Sequence, residues 1–113
     1  MYDLNRPLEG DAEVAIVTAK DEDGLDLIRH DAAHVLAQAV QELYPDTQVT
    51  IGPVIDDGFY YDFAMPEGEN LSEESLNTIE DKMREIIDAD QAFIRGEVSA
   101  SEALEIFSDH PYK

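Results

Sequence analysis

The sequence predicts an α+β chain in the order βαββαβα, an antiparallel hairpin packed with two main helices. Three observations predict it. An Asp57-Gly58 step separates two β-rich runs, "QVTIGPVI" and "FYYDF", which is a strong hairpin signal. Two longer segments carry apolar residues at helical spacing. Short β-branched runs stand before the first of these segments and after the second.

In chain order, "EVAIVTA" (13–19) is β-branched and roughly alternating, and predicts a strand. Asp21 or Asp23 in "KDEDG" is placed to cap a first helix. That helix should run to Tyr44, because Tyr44 precedes Pro45 and a residue before proline avoids the helical region. In the hairpin, Pro53 has no N–H to give to a ladder, so it marks an edge or bulged position. Phe59, Tyr61 and Phe63 should share one side of the second strand, Tyr60 and Asp62 the other. "AMPEGEN" (64–70) reads as a loop. Ser72 and Ser75 open a second helix, about 72–89, with Leu76, Ile79, Met83, Ile86 and Ile87 at helical spacing. "AFIRGEVS" (92–99) predicts a short strand. Ser99 with Glu102 fits a capping box for a last helix near 100–107.

Composition narrows the function classes. Seven Lys and Arg face 27 Asp and Glu, a formal net charge of −20. A basic footprint for nucleic acid is missing from this balance, so any RNA contact needs affinity from elsewhere or from a few focused cations. The chain has no cysteine, which excludes disulfides and Cys-ligated zinc and is compatible with a cytoplasmic protein. No apolar run is long enough for a membrane span, and "MYDLNRPLEG" has no signal-peptide pattern. A strand so near the start and "HPYK" straight after a helix suggest a fragment of a longer protein.

The first helix carries His30 and His34 four residues apart. At about 100° per residue they lie about 40° apart, nearly opposite the stripe Ala32, Val35, Leu36, Ala39 and Leu43. That stripe is expected to pack, leaving the imidazoles in a cleft or in solvent. Spacing alone leaves open a solvated polar face, a shared ion or a bound substrate. A complete metal site is not supported, because zinc takes three or four protein ligands and the only other histidine is His110. An H-E-x-x-H site is excluded by Asp31 after His30. A tyrosine of the hairpin whose hydroxyl reaches a cleft would hydrogen-bond a ligand, but periodicity does not say which.

The run from Arg29 to Ala39 and the run from Ile51 to Asp62 together resemble the threonyl-tRNA synthetase family. The family's patterns are R-H-x-x-A-H-x-L-x-x-A and I-G-P-x-I-x-x-G-F-Y-Y-D, and both stand complete here. "RPLEGDAEVAIVTAKDEDGL" (6–25) is similar to the family's passage out of its small first domain, and "SASEALEIFSDHPYK" to its stretch ending in Tyr-Lys. The resemblance implies that 1–20 is the C-terminal remnant of a ubiquitin-like first domain with its linker. It implies that 21–113 is the N-terminal, incomplete part of the editing domain shared by threonyl- and alanyl-tRNA synthetases. The implied activity is hydrolysis of serine from mischarged threonine tRNA. His30, His34 and Lys113 match catalytic-site positions of the family and Tyr61 a substrate-binding one. The implied partner is a tRNA acceptor end carrying serine, with no DNA and no membrane, and the parent enzyme is a homodimer through absent domains. ATP, magnesium and zinc belong to an absent synthetic domain, and no cofactor is expected in this chain. The family's Cys-x-x-x-His motif is missing, so the chain alone is expected to be inactive. Two other classes are a free-standing trans-editing deacylase and a non-catalytic interaction module. A deacylation assay separates the three.

Overall fold

The computed structural model describes residues 1–112. Seven elements follow one another: α1 (Glu22–Leu43), β1 (Gln48–Val49), β2 (Val54–Ile55), β3 (Gly58–Phe59), β4 (Phe63–Ala64), α2 (Glu73–Asp88) and α3 (Ala100–Ile106). The chain is therefore α+β, with three helices and two small antiparallel sheets. Among the described residues, no helix is long and apolar enough to cross a membrane.

The order differs from βαββαβα at two places. Residues 13–19 and 92–99 form no strand. β-Branched residues suit a pleated surface, but a strand exists only where another edge takes its hydrogen bonds. Here Val14, Ile16, Phe93 and Ile94 are all exposed. Residues 1–20 contain neither helix nor strand.

Asp21 occupies the N-cap of α1, yet its carboxylate does not cap the helix. It turns back instead, accepting from the Thr18 N–H at 2.7 Å and from the Thr18 hydroxyl at 2.8 Å. These bonds, the backbone one first, hold the Asp21 carboxyl below its ordinary range. The turn they close lies over the helix start, where a Cβ on Gly24 would meet the Thr18 carbonyl oxygen at 1.9 Å. At the other end Tyr44 is the C-cap, before Pro45 as expected.

The four short strands belong to one long hairpin interrupted by a bulge. Val49 pairs with Phe63, and Val54 pairs with Phe59. Between these pairs the outgoing strand spends residues 50–53 and the returning strand only 60–62. One extra residue on one side is a β-bulge, which bends the strand and re-aims its side chains. The bulge falls at Thr50-Ile51, which together oppose Asp62: the Thr50 N–H donates to the Asp62 carbonyl at 3.3 Å and the Asp62 N–H to the Ile51 carbonyl at 2.9 Å, so Pro53 lies just past the bulge and not in it. The Tyr60 N–H donates to the Pro53 carbonyl at 3.4 Å, resuming the ladder. At the tip Asp56 and Asp57 form the turn and Gly58 opens β3.

α2 begins with a complete capping box between Ser72 and Ser75, and Glu73 and Glu74 complement its N-terminal dipole. Its Ile79 and Ile86 meet Ala39 and Val40 of α1 in the main core, flanked by Leu36, Met83 and Phe63. The expected stripe thus packs, but α1 also buries a second face. Ala33 and Ala37, on the histidine side of the wheel, are buried as well. Alanine's small side chain lets a neighbouring backbone approach, and the hairpin strands β2 and β3 contact α1. α3 has its own capping box, Ser99 with Glu102, but among the described residues it contacts no other helix or strand.

Among the described residues one ion pair, Lys82 to Glu42 at 3.0 Å, crosses from α2 to α1. The Gln38 amide and then Lys82 hold the Glu42 carboxyl below its ordinary range, while bonding to Glu42 raises the Lys82 ammonium. Glu42 therefore adds stability above the ordinary carboxylate range, lost as pH falls through its lowered value. Lys82 adds stability below the ordinary lysine value, lost as pH rises through its raised one. Urea midpoints measured from about pH 3 to 7 should fall on the acid side, and Glu42→Gln should flatten that fall.

Candidate functional site

An open cleft of about 330 Å³ lies between α1 and the bulged hairpin. α1 contributes His30, Ala33 and His34; the hairpin contributes Thr50, Ile51, Gly52, Pro53 and Tyr61. The small Ala33 side chain lets the hairpin come close enough for both sides to share one space. Among the described residues, this lining holds no lysine or arginine.

The imidazoles are both exposed, and their Nε2 atoms stand 2.9 Å apart. The rings meet nearly edge-on, with centroids 4.6 Å apart and planes 80° apart. A hydrogen bond of this length needs one Nε2–H and one Nε2 lone pair. Which ring donates depends on the tautomer. The pair is an acceptor and a donor placed side by side, which is what a proton-transfer site needs. Among the described residues, no three His, Asp or Glu side chains cluster as a metal site.

On the facing wall, Tyr61 stacks on Phe63 with centroids 4.8 Å apart and planes 16° apart. Phe63 in turn packs against the main core, so the tyrosine ring is tied to the body of the fold. Tyr60 is exposed on the opposite side, as the alternation predicts. Thr50 donates its hydroxyl to the Asp62 carbonyl at 2.6 Å.

Of the residues singled out from sequence, His30, His34 and Tyr61 thus come together. Lys113 lies outside the described residues. Ala33, Thr50 and Gly52 line the cleft without having been singled out. Gly52 did carry a signal, since a glycine inside a strand pattern marks a bulge or a close approach.

No protein-family model matches the chain. Curated relatives do. The chain is 65% identical over 107 residues to the threonine–tRNA ligase of Hyphomonas neptunium, covering 95% of this chain and 16% of that protein. It is 55% identical over 108 residues to the threonine–tRNA ligase of Maricaulis maris, covering 96% of this chain and 16% of that protein. It is 50% identical over all 113 residues to that of Desulfatibacillum aliphaticivorans, spanning 17% of that protein. Nearly the whole chain is therefore related to one stretch of the threonine–tRNA ligases, a stretch amounting to about one sixth of their length.

Proposed function

We propose that this chain supplies one wall of a hydrolytic site in a threonine–tRNA ligase, where serine wrongly esterified to threonine tRNA is removed. The observation that carries the reading is the histidine pair, with Nε2 atoms 2.9 Å apart on the rim of a cleft, in a chain related to enzymes of that name. Serine keeps threonine's hydroxyl and lacks only its methyl, so a synthetic site discriminates against it weakly and a second, hydrolytic site is the general remedy. The reaction adds water to the ester carbonyl, passes through a tetrahedral oxyanion and releases serine and the ribose hydroxyl. A water that replaces the direct bond, with the two Nε2 atoms moved apart to admit it, takes the N–H of one ring on its oxygen and gives its own hydrogen to the Nε2 of the other. Such a water is oriented and has a base for the proton that it loses. Tyr61 offers a hydroxyl to the bound aminoacyl group from the facing wall. Lys113 adds a cation for the tRNA end in this reading.

Residues 1–20 then belong to a preceding small domain and its linker, and 21–113 to the first part of the editing domain. The other wall comes from a Cys-x-x-x-His motif of the family, which this cysteine-free sequence does not contain. Charging of threonine tRNA, with ATP, magnesium and zinc, belongs to other parts of the parent enzyme, which acts in the cytoplasm as a homodimer.

The test is release of labelled serine from pre-charged threonine tRNA. Little release is expected from the 113-residue chain and turnover from a longer form that includes the Cys-x-x-x-His motif. Rapid release by the short chain would favour a free-standing deacylase, and none from either form would sink the reading.

A further inference from the structure

We propose that Gly52 is a positioning residue, whose missing side chain is the seat on which the Tyr61 ring is held across the cleft from the histidine pair. The inference rests on the reading above only for its functional consequence. Its structural content stands on three observations. A Cβ built on Gly52 would lie 2.0 Å from Tyr61 Cδ2, 2.4 Å from Cε2 and 2.8 Å from Cγ. The Gly52 backbone is not in the left-handed region, so the demand for glycine here is steric and not conformational. The opposing constraint on the ring is Phe63, stacked at 4.8 Å and anchored to the main core.

Tyr61 is thus held between the core, through Phe63, and the hairpin backbone, through Gly52. The contact reaches Cγ, at the root of the ring, so a rotation about the ring axis alone does not relieve it. A methyl group at position 52 must swing the whole ring to another rotamer or push the strand away. The bulge at Thr50-Ile51 shifts the register by one residue, and in the shifted register Gly52 stands opposite Tyr61, which brings its backbone under the ring. The effect of Gly52 on the histidine pair passes through the place of Tyr61.

The experiment compares the protein with Gly52→Ala, Tyr61→Ala and the double variant, first by nuclear magnetic resonance. Contacts between the Tyr61 and Phe63 rings should be seen in the unaltered chain and lost in Gly52→Ala, while contacts between Val40 and Ile79 persist. Unchanged Tyr61–Phe63 contacts in Gly52→Ala would overturn the proposal. Should Gly52→Ala fail to fold, the double variant decides. Folding recovered when the ring is removed supports the seat, and folding still lost overturns it. The second arm is calorimetric binding of 3′-serylamino-3′-deoxyadenosine, a non-hydrolysable mimic of the charged tRNA end, to the longer form. Gly52→Ala should weaken binding at least about tenfold in the Tyr61 background and less than about twofold in the Tyr61→Ala background, because residues that act through each other are not additive. Equal weakening in both backgrounds would overturn a role through Tyr61. Absence of binding by the unaltered longer form counts against the hydrolytic site, and the resonance arm then decides the seat alone.

Discussion

Replacing His34 by alanine in the longer enzyme should slow release of serine from threonine tRNA by roughly 10²–10⁴-fold, the usual contribution of a positioned acid or base. Threonine charging should not change. The size follows from the paired rings: with one ring gone, a water in the cleft has either its donor or its acceptor, but not both. The fold should survive. His34 is exposed, and alanine is the better helix former at an exposed helical position. His34→Gln makes the sharper comparison, since it offers a hydrogen bond but no base, and should be nearly as slow as alanine. Serine release and threonine charging measured on one preparation, with a urea midpoint for each variant, separate chemistry from folding. Unchanged serine release in His34→Ala would remove the histidine pair from the mechanism.

Ile79→Ala should destabilise the chain by about 2–5 kcal/mol. Ile79 is 3% exposed and packs with Val40, which is fully buried, at the centre of the contact between α1 and α2. Its loss removes apolar contact and leaves a cavity that two helices joined by a hairpin cannot fully close. Domains of this size have only about 5–15 kcal/mol in hand, so the change is a large share of the total. Leu76, one turn earlier on α2, is 57% exposed, and Leu76→Ala should change stability by no more than about 0.5 kcal/mol. Urea unfolding of both variants checks the contrast. A similar loss for the two would mean that α2 docks by a different face.

Elements specified by local chemistry were legible in the sequence. Both capping boxes form at Ser72 and Ser99, the helix ends before Pro45, and the Asp-Gly step does join a hairpin. Asp21 is a partial case: it stands at the N-cap, but the Thr18 hydroxyl and N–H compete for its carboxylate and win. Features that depend on a partner were not legible. The composition of 13–19 and 92–99 suits strands, yet composition does not supply the second edge. The second buried face of α1 escaped for a different reason. Ala33 and Ala37 carry too little apolar area to register as a stripe, while their smallness is what admits the hairpin. For the same reason the histidines were readable as neighbours on one face, but the wall opposite them was not. Tyr61 was singled out by resemblance alone, since the alternation of the strand treats Phe59, Tyr61 and Phe63 alike. What distinguishes Tyr61 is its contact with Gly52, which is set by a bulge in the other strand.

Among the described residues α3 touches no other helix or strand, so no packing against another element slows its opening. A helix of seven residues that packs on no other helix or strand among the described residues opens at little cost. Its amide hydrogens should therefore exchange with solvent nearly as fast as in an unstructured peptide. Amides in the middle of α1, next to Val40, should exchange only when the main core opens. Warming the chain should then remove helical ellipticity in two stages, an early gradual loss from residues 100–106 and a later cooperative one from α1 and α2. A melting curve read as one transition would assign to the core an instability that belongs to its tail.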